Sequence, residues 1–260
     1  MKKNIAIITL SPEGVSIAVL LAQRLEIAEI YVHDIVATDI ICKRFSRILD
    51  LVKDIFSSHD GLVFIGPCGV AVRAIAPNIA HKTKDPAVVV VDVCARWAIS
   101  LLSGHEGGAN ELAIGISNIL ASEPIITTTT EARKNIIVGV GCRRGVSAEQ
   151  IKLAITSAVH GLGLSLEDVR LLATVDAKMS EKGLIQAAEN LGIPLILISS
   201  EDIVNSTRDF YRSDFVQQNI GAPGVSEPCA LLAGRRTKLI LKRKRSEEHT
   251  SELQSPNTIS

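Results

Sequence analysis

Ile136-Ile137-Val138-Gly139-Val140-Gly141-Cys142-Arg143-Arg144-Gly145-Val146-Ser147-Ala148-Glu149-Gln150-Ile151 is the stretch that decides the fold. Its apolar, β-branched opening reads as a buried strand, and the glycines end it. Ser147 has the chemistry of a helix N-cap, since its hydroxyl can accept from an early helical N–H, and Gln150 stands where a capping-box partner belongs. Ile151, Ala154, Ile155 and Ala158 then share one helical face. Strand, glycine loop and helix in this order are the repeating step of an α/β protein.

The same step recurs in both directions. Downstream, Val169–Val175 reads as a strand, Leu184, Ala188 and Leu191 mark a helix, Leu195–Ile198 is a strand, and Leu239–Leu241 a last short one. Upstream, Ile5–Leu10, Ala28–His33, Leu62–Ile65, Val88–Val93 and Trp97–Leu102 read as strands, and Ile125–Thr130 as one more after Pro124. Helical faces are carried by Ile17, Ala18, Leu21, Ala22 and Leu25, by Ile48, Leu49, Val52 and Ile55, and by Ala109, Leu112, Ala113, Ile116 and Leu120. Ser11-Pro12-Glu13-Gly14 reads as a turn, and Glu131–Asn135 as a polar linker. The expectation is two α/β domains with mostly parallel sheets flanked by helices, spanning about 1–133 and 136–244.

Composition limits what such domains can do. The chain has 260 residues, 47% of them hydrophobic, with 28 basic and 28 acidic side chains. That is enough apolar residue for real cores, and it rules out wholesale disorder. Formal neutrality gives no support for a generally basic nucleic-acid surface, and 3% aromatic residues provide few base-stacking platforms. No run of eighteen apolar residues is present, so no membrane span is expected. The basic start is followed by an apolar run too short for a secretory leader. Five scattered cysteines without a C-x-x-C pair fit neither a disulfide scaffold nor a zinc ribbon, which makes the cytoplasm the expected location.

From Arg245 the apolar periodicity stops. Arg-Ser-Glu-Glu-His-Thr-Ser-Glu-Leu-Gln-Ser is similar to the in-frame translation of a sequencing adapter, so 245–260 reads as a non-native tail.

Ligands of open α/β sheets bind beyond the carboxyl ends of the strands, where this chain places its unusual residues. Gly139-x-Gly141-Cys142-Arg143-Arg144-Gly145 lacks the third glycine of a dinucleotide fingerprint and the Lys-Ser/Thr of a P-loop. Its glycines allow close backbone approach, and Arg143 and Arg144 can fork onto carboxylates or phosphates. A glycine turn with solvated arginines is the plain alternative. Gly104-His105-Glu106-Gly107-Gly108-Ala109-Asn110 gathers residue types useful at a site, with an imidazole as a base that works near neutrality. Asn110 can equally serve the first turn of the following helix. Gly66-Pro67-Cys68-Gly69 with Arg73 repeats the theme, with a plain helix surface charge as the alternative for Arg73. In Gly221–Pro228, Ser226 and Glu227 are either site groups or a helix entry, with Ser226 as N-cap and Glu227 beside the dipole. No pattern suggests a bound metal.

These residues resemble a family. Gly69-Val70-Ala71-Val72-Arg73 with Ile75-Ala76-Pro77, Val90-Val91-Asp92, Ser100 through Asn110 and the 126–130 strand resemble the amino-terminal module of CbiG, the cobalt-precorrin-5A hydrolase of anaerobic cobalamin biosynthesis. Gly139 through Gly145 and Gly224-Val225-Ser226-Glu227-Pro228-Cys229-Ala230 resemble its carboxy-terminal module, shared with small CobE-type proteins. The resemblance spans 1–244.

It implies a cobalt-corrinoid substrate rich in carboxylates, whose δ-lactone is opened by water with release of acetaldehyde to give cobalt-precorrin-5B. His105, Glu106 and Glu227 are then the candidate catalytic groups. Gly69, Arg73, Gly104, Gly107, Gly108, Asn110, Gly141, Arg143, Arg144 and Ser226 are the candidate substrate contacts. No resident cofactor or metal is expected, because the cobalt arrives with the substrate, and neighbouring enzymes of the pathway are the natural protein partners. Two departures from the family stand out: almost nothing lies between the modules where members carry a middle segment, and a further strand after Lys244 is missing. A non-catalytic corrinoid carrier is therefore the alternative, and a nucleotide-binding α/β protein a third.

Overall fold

In the computed structural model, residues 4–234, 237–242, 244–245 and 258–259 are described. The chain divides into two compact units, residues 1–129 and 130–260.

The first unit is built from β1 (Asn4–Thr9), α1 (Pro12–Ala22), β2 (Ile27–His33), β3 (Lys43–Phe45), α2 (Ile48–Ile55), β4 (Gly61–Ile65), α3 (Cys68–Ile75), β5 (Ala87–Val91), β6 (Trp97–Leu102), α4 (Ala109–Leu120) and β7 (Glu123–Ile125), with α5 (Thr129–Arg133) at its end. Its strands form one sheet in the order β3-β2-β1-β4-β5-β6-β7. Strand alternation supplies a core on each face. Ile5, Ile7, Val63, Ile65, Val89 and Val91 pack with Leu21 of α1 and Ile116 of α4. Ala6, Ile8, Leu62, Phe64, Val88 and Val90 pack with Val52 of α2 and Ala74 of α3.

Four local readings change. Ser11-Pro12-Glu13-Gly14 is the first turn of α1, because Ser11 accepts from the Gly14 N–H at 3.3 Å and Pro12 takes the N1 position where its missing N–H costs nothing. The strand expected over 125–130 ends at Ile125, since Thr128 is drawn onto α4 by a 2.9 Å bond from Asn110 Nδ2. Much of the expected linker is helical in α5, where Glu131 and Lys134 pair at 2.8 Å. Most consequential, β6 runs antiparallel to β5, with Leu102 beside Val88 and Ala98 beside Val91.

The second unit contains β8 (Ile136–Gly141), α6 (Ala148–His160), β9 (Val169–Val175), α7 (Lys182–Leu191), β10 (Leu195–Ile198), α8 (Ser200–Val204), α9 (Asp214–Ile220), α10 (Ser226–Leu232), β11 (Lys244–Arg245) and β12 (Thr258–Ile259). β8, β9 and β10 are parallel, whereas β12 pairs antiparallel with β8 and with β11. The capping box of α6 is formed, with Gln150 N–H 3.3 Å from Ser147 Oγ and Ser147 N–H 3.3 Å from Gln150 Oε1. Val138, Val140 and Leu172 pack on α6 and α7, while Leu171, Ala173 and Val175 pack on the α8 and α10 side. The strand expected at Leu239–Leu241 does not form; Leu239 and Leu241 instead pack against the two cores. Apart from Arg245, Thr258 and Ile259, the tail read as non-native lies outside the described residues. Among the described residues no helix is long and apolar enough to cross a membrane.

Candidate functional site

In the second unit the carboxyl ends of three parallel strands bring one group of loops to one edge. Gly141–Gly145 follows β8, Asp176–Lys178 follows β9, and Ser199–Ser200 follows β10. The start of α10 joins them. A Cβ on Gly139 would lie 1.8 Å from the Ser226 carbonyl oxygen, so only glycine lets α10 rest on β8 there. Farther along, Gly234 lies against Ile137, so the helix runs antiparallel to the strand with its first turn at the carboxyl edge.

Arg144 is exposed and Arg143 half-buried in the loop after β8. Cys142 beside them has its thiol pushed up to about 11 by burial, which removes it as a nucleophile near neutrality. Asp176 is exposed and held below the usual carboxylate range, first by the Ser200 hydroxyl and against a smaller effect of burial. Gly141 is half-buried at the loop's base.

Ser226 and Glu227 occupy different places from those expected of open site groups. Ser226 is the first helical residue, with Val225 in the cap position, and is 3% exposed. Glu227 is 5% exposed, and its Oε2 accepts from the Tyr211 backbone N–H at 2.8 Å. Both are built into the packing of α10, and Glu227 ties the 211 region to it.

The first unit does not assemble its candidates at one edge. Gly69 and Arg73 are exposed on α3, after β4, with Arg73 Nη1 donating to the Gly69 carbonyl at 3.2 Å. The Gly66 N–H donates to Val91 at the carboxyl end of β5. Because β6 turns back, the 104–110 loop lies instead beside the start of β5, where Gly107 packs against Ser103 and faces the Asp85 carbonyl.

That second edge has its own chemistry. His105 and Glu106 are exposed. Lys82 Nζ sits 2.8 Å from Glu106 Oε1, and this bond first of all holds the Glu106 carboxyl below its ordinary range, with the charges of His105 and His81 acting the same way. His81 is thus a neighbour that motif reading missed; its signal was the His81-Lys82-Thr83-Lys84 cluster ahead of β5. Asn110 is buried and fully engaged: Ser100 Oγ donates to its Oδ1 at 2.8 Å, and its Nδ2 donates to Thr128. These bonds fix the loop to β6 and to Thr128. Gly104 packs against Asn110 and Thr128. Gly108, with φ 82°, takes the left-handed turn into α4, which an L side chain resists. Ser103, just before the loop, also has positive φ (58°), and its Oγ is buried with no partner among the described residues. No group of three or more His, Cys, Asp or Glu among the described residues could hold a metal.

Residues 136–252 match the family described as Cobalamin synthesis G C-terminus, and residues 50–131 match Cobalamin synthesis G N-terminal. The chain belongs to the cobalamin synthesis G (CbiG) family. This CbiG-family chain is 26% identical to the cobalt-precorrin-5A hydrolase of Priestia megaterium over 294 aligned positions, covering 75% of this chain and 78% of that one. It is 23% identical to the cobalt-precorrin-5A hydrolase of Salmonella typhimurium over 322 positions, covering 88% and 92%. It is 30% identical to Protein CobE of a Sinorhizobium species over 133 positions, 50% of this chain and 86% of CobE. Both hydrolase alignments are longer than the 260 residues of this chain, so those relatives carry residues with no counterpart here.

Proposed function

We propose that this CbiG-family chain hydrolyses the δ-lactone of cobalt-precorrin-5A and releases acetaldehyde, giving cobalt-precorrin-5B. The observation that carries the reading is the alignment of three quarters or more of the chain with relatives named for that hydrolysis.

The site chemistry supports it. A macrocycle fringed with carboxylates needs forked cations, which Arg143 and Arg144 offer at the carboxyl edge of the second unit and Arg73 at that of the first. Lactone opening needs a base to take a proton from water as it attacks the carbonyl carbon, and a donor for the resulting oxyanion. Lys82 keeps Glu106 ionised and weakly basic, which leaves the proton to an imidazole, His105 or the nearby His81. Collapse of the tetrahedral species breaks the ring C–O bond, and the alkoxide takes a proton. In a retro-aldol step the same base then removes the hydroxyl proton, the C–O bond becomes the carbonyl of acetaldehyde, and the electron pair of the broken C–C bond passes into the conjugated macrocycle.

Purified protein incubated anaerobically with cobalt-precorrin-5A is expected to release acetaldehyde in proportion to substrate consumed. No release above the protein-free rate would remove the reading. A second reading, a corrinoid carrier, is favoured by the relatives' unmatched residues and by the CobE likeness of the arginine-bearing unit. Its mark in the same experiment is tight corrinoid binding without acetaldehyde.

A further inference from the structure

The segment joining β9 to α7 ties down the loops on both sides of it. Toward β10, the Asp176 carboxylate accepts from the Ser200 backbone N–H at 3.2 Å and from the Ser200 hydroxyl. Toward β8, Glu181 Oε2 accepts from the Gly145 N–H at 3.3 Å. The other oxygen of Glu181 lies 3.4 Å from Lys178 Nζ, and these two side chains are only 15% and 9% exposed.

Glu181 stands at the N-cap of α7, yet its carboxylate does not cap its own helix. A carboxylate in that position ordinarily accepts from the next turn. Here it reaches across to close the arginine loop at Gly145, a residue with φ 76°. The start of α7 is pressed on the same chain, since a Cβ on Gly183 would lie 1.9 Å from the Val146 carbonyl oxygen. Replacing an ion pair this buried with apolar residues of similar volume is often neutral or stabilising, because both charges must leave water. The pair leaves one carboxylate oxygen of Glu181 for the Gly145 N–H.

We propose that Glu181, paired with Lys178 through its other oxygen, is a positioning residue that sets the arc of Gly141–Gly145 by accepting from Gly145, and thereby the reach of Arg143 and Arg144 toward a polycarboxylate corrinoid. The loop-setting part stands on the geometry; the ligand part rests on the functional reading above.

Two double variants separate positioning from packing. Lys178→Met with Glu181→Gln removes both charges and keeps an oxygen for Gly145. Lys178→Met with Glu181→Leu removes the oxygen as well. Amide exchange over 141–147 is measured without ligand, and binding of the stable polycarboxylate corrinoid cobyrinic acid is measured by titration. The first variant is expected to keep loop protection and affinity within about threefold, and the second to exchange about tenfold faster there and bind about tenfold more weakly at similar Tm. Wild-type exchange and affinity in the Leu variant would overturn the proposal. Glu181→Asp, too short to reach Gly145 but still charged beside Lys178, gives the same readout if the Leu variant fails to fold. If the unaltered protein does not bind the corrinoid, the functional reading falls while the exchange comparison still decides the clamp.

Discussion

His105 and Arg73 lie at opposite edges of one sheet, although each follows the carboxyl end of a strand. β4 delivers Arg73 to the edge where Gly66 bonds Val91, and antiparallel β6 delivers His105 to the edge beside Val88. About 10 Å of strand lies between Val88 and Val91. Arg73→Ala and His105→Ala should therefore act independently. Their effects on corrinoid binding are expected to add to within about 0.5 kcal/mol in a double-mutant cycle. A coupling above about 1 kcal/mol would mean that one ligand group bridges both.

Base and anchor roles separate kinetically. His105→Ala is expected to lower kcat by about a hundredfold or more with KM little changed, because a base acts on the transition state. Arg143→Ala should instead raise KM and flatten its dependence on salt, because a guanidinium–carboxylate contact is formed already in the complex. Steady-state acetaldehyde release at two ionic strengths distinguishes them, and the reverse pattern would exchange the roles of the two loops.

Gly139→Ala places a methyl group where the Ser226 carbonyl oxygen already is. α10 must lift from β8, at a cost of about 3 kcal/mol or more. Hydrogen exchange should show β8 amides losing protection while those of β4 keep it. Unchanged protection in β8 would disprove the close approach.

Glu29 sets an acid limit on the first unit. Its carboxylate accepts from Lys43 at 2.7 Å and Tyr31 at 2.6 Å and faces His59 Nε2 at 3.2 Å, and its pKa is held down to about 2, chiefly by Lys43. A carboxyl that ionises more easily when folded adds stability above its unfolded value of about 4.3, and that stability is lost as pH falls toward 2. The group is 35% exposed, so screening reduces its contribution to about 1 kcal/mol. Denaturant titrations of the wild type should be flat from pH 7 to 5 and fall below about 4.5. Glu29→Gln should be less stable at pH 7 and lose that part of the slope; parallel curves would show that the network contributes nothing.

The thiols should sort by environment. Cys94 is exposed, whereas burial raises Cys142 to about 11 and Cys229 further. Brief alkylation at pH 8 followed by mass mapping should mark Cys94 and spare the other two. Rapid labelling of Cys142 would reopen a thiolate role in the arginine loop.

The sequence by itself determined most of the elements and the α/β class. Apolar runs of 136–140 and 88–91, the Ser147–Gln150 box and the helical faces are local patterns, and local sterics and hydrogen bonding suffice to read them. Its glycine motifs fall on loops that follow β4, β6 and β8. Tertiary structure alone decided strand direction in β6, and with it which loops can share a ligand, because a hairpin and a crossover leave nearly the same apolar signature. It alone decided that Asn110, Ser226 and Glu227 are buried and that Lys178, Glu181 and His81 border the loops. Those partners are tens of residues away along the chain, and only packing sets the distances between them.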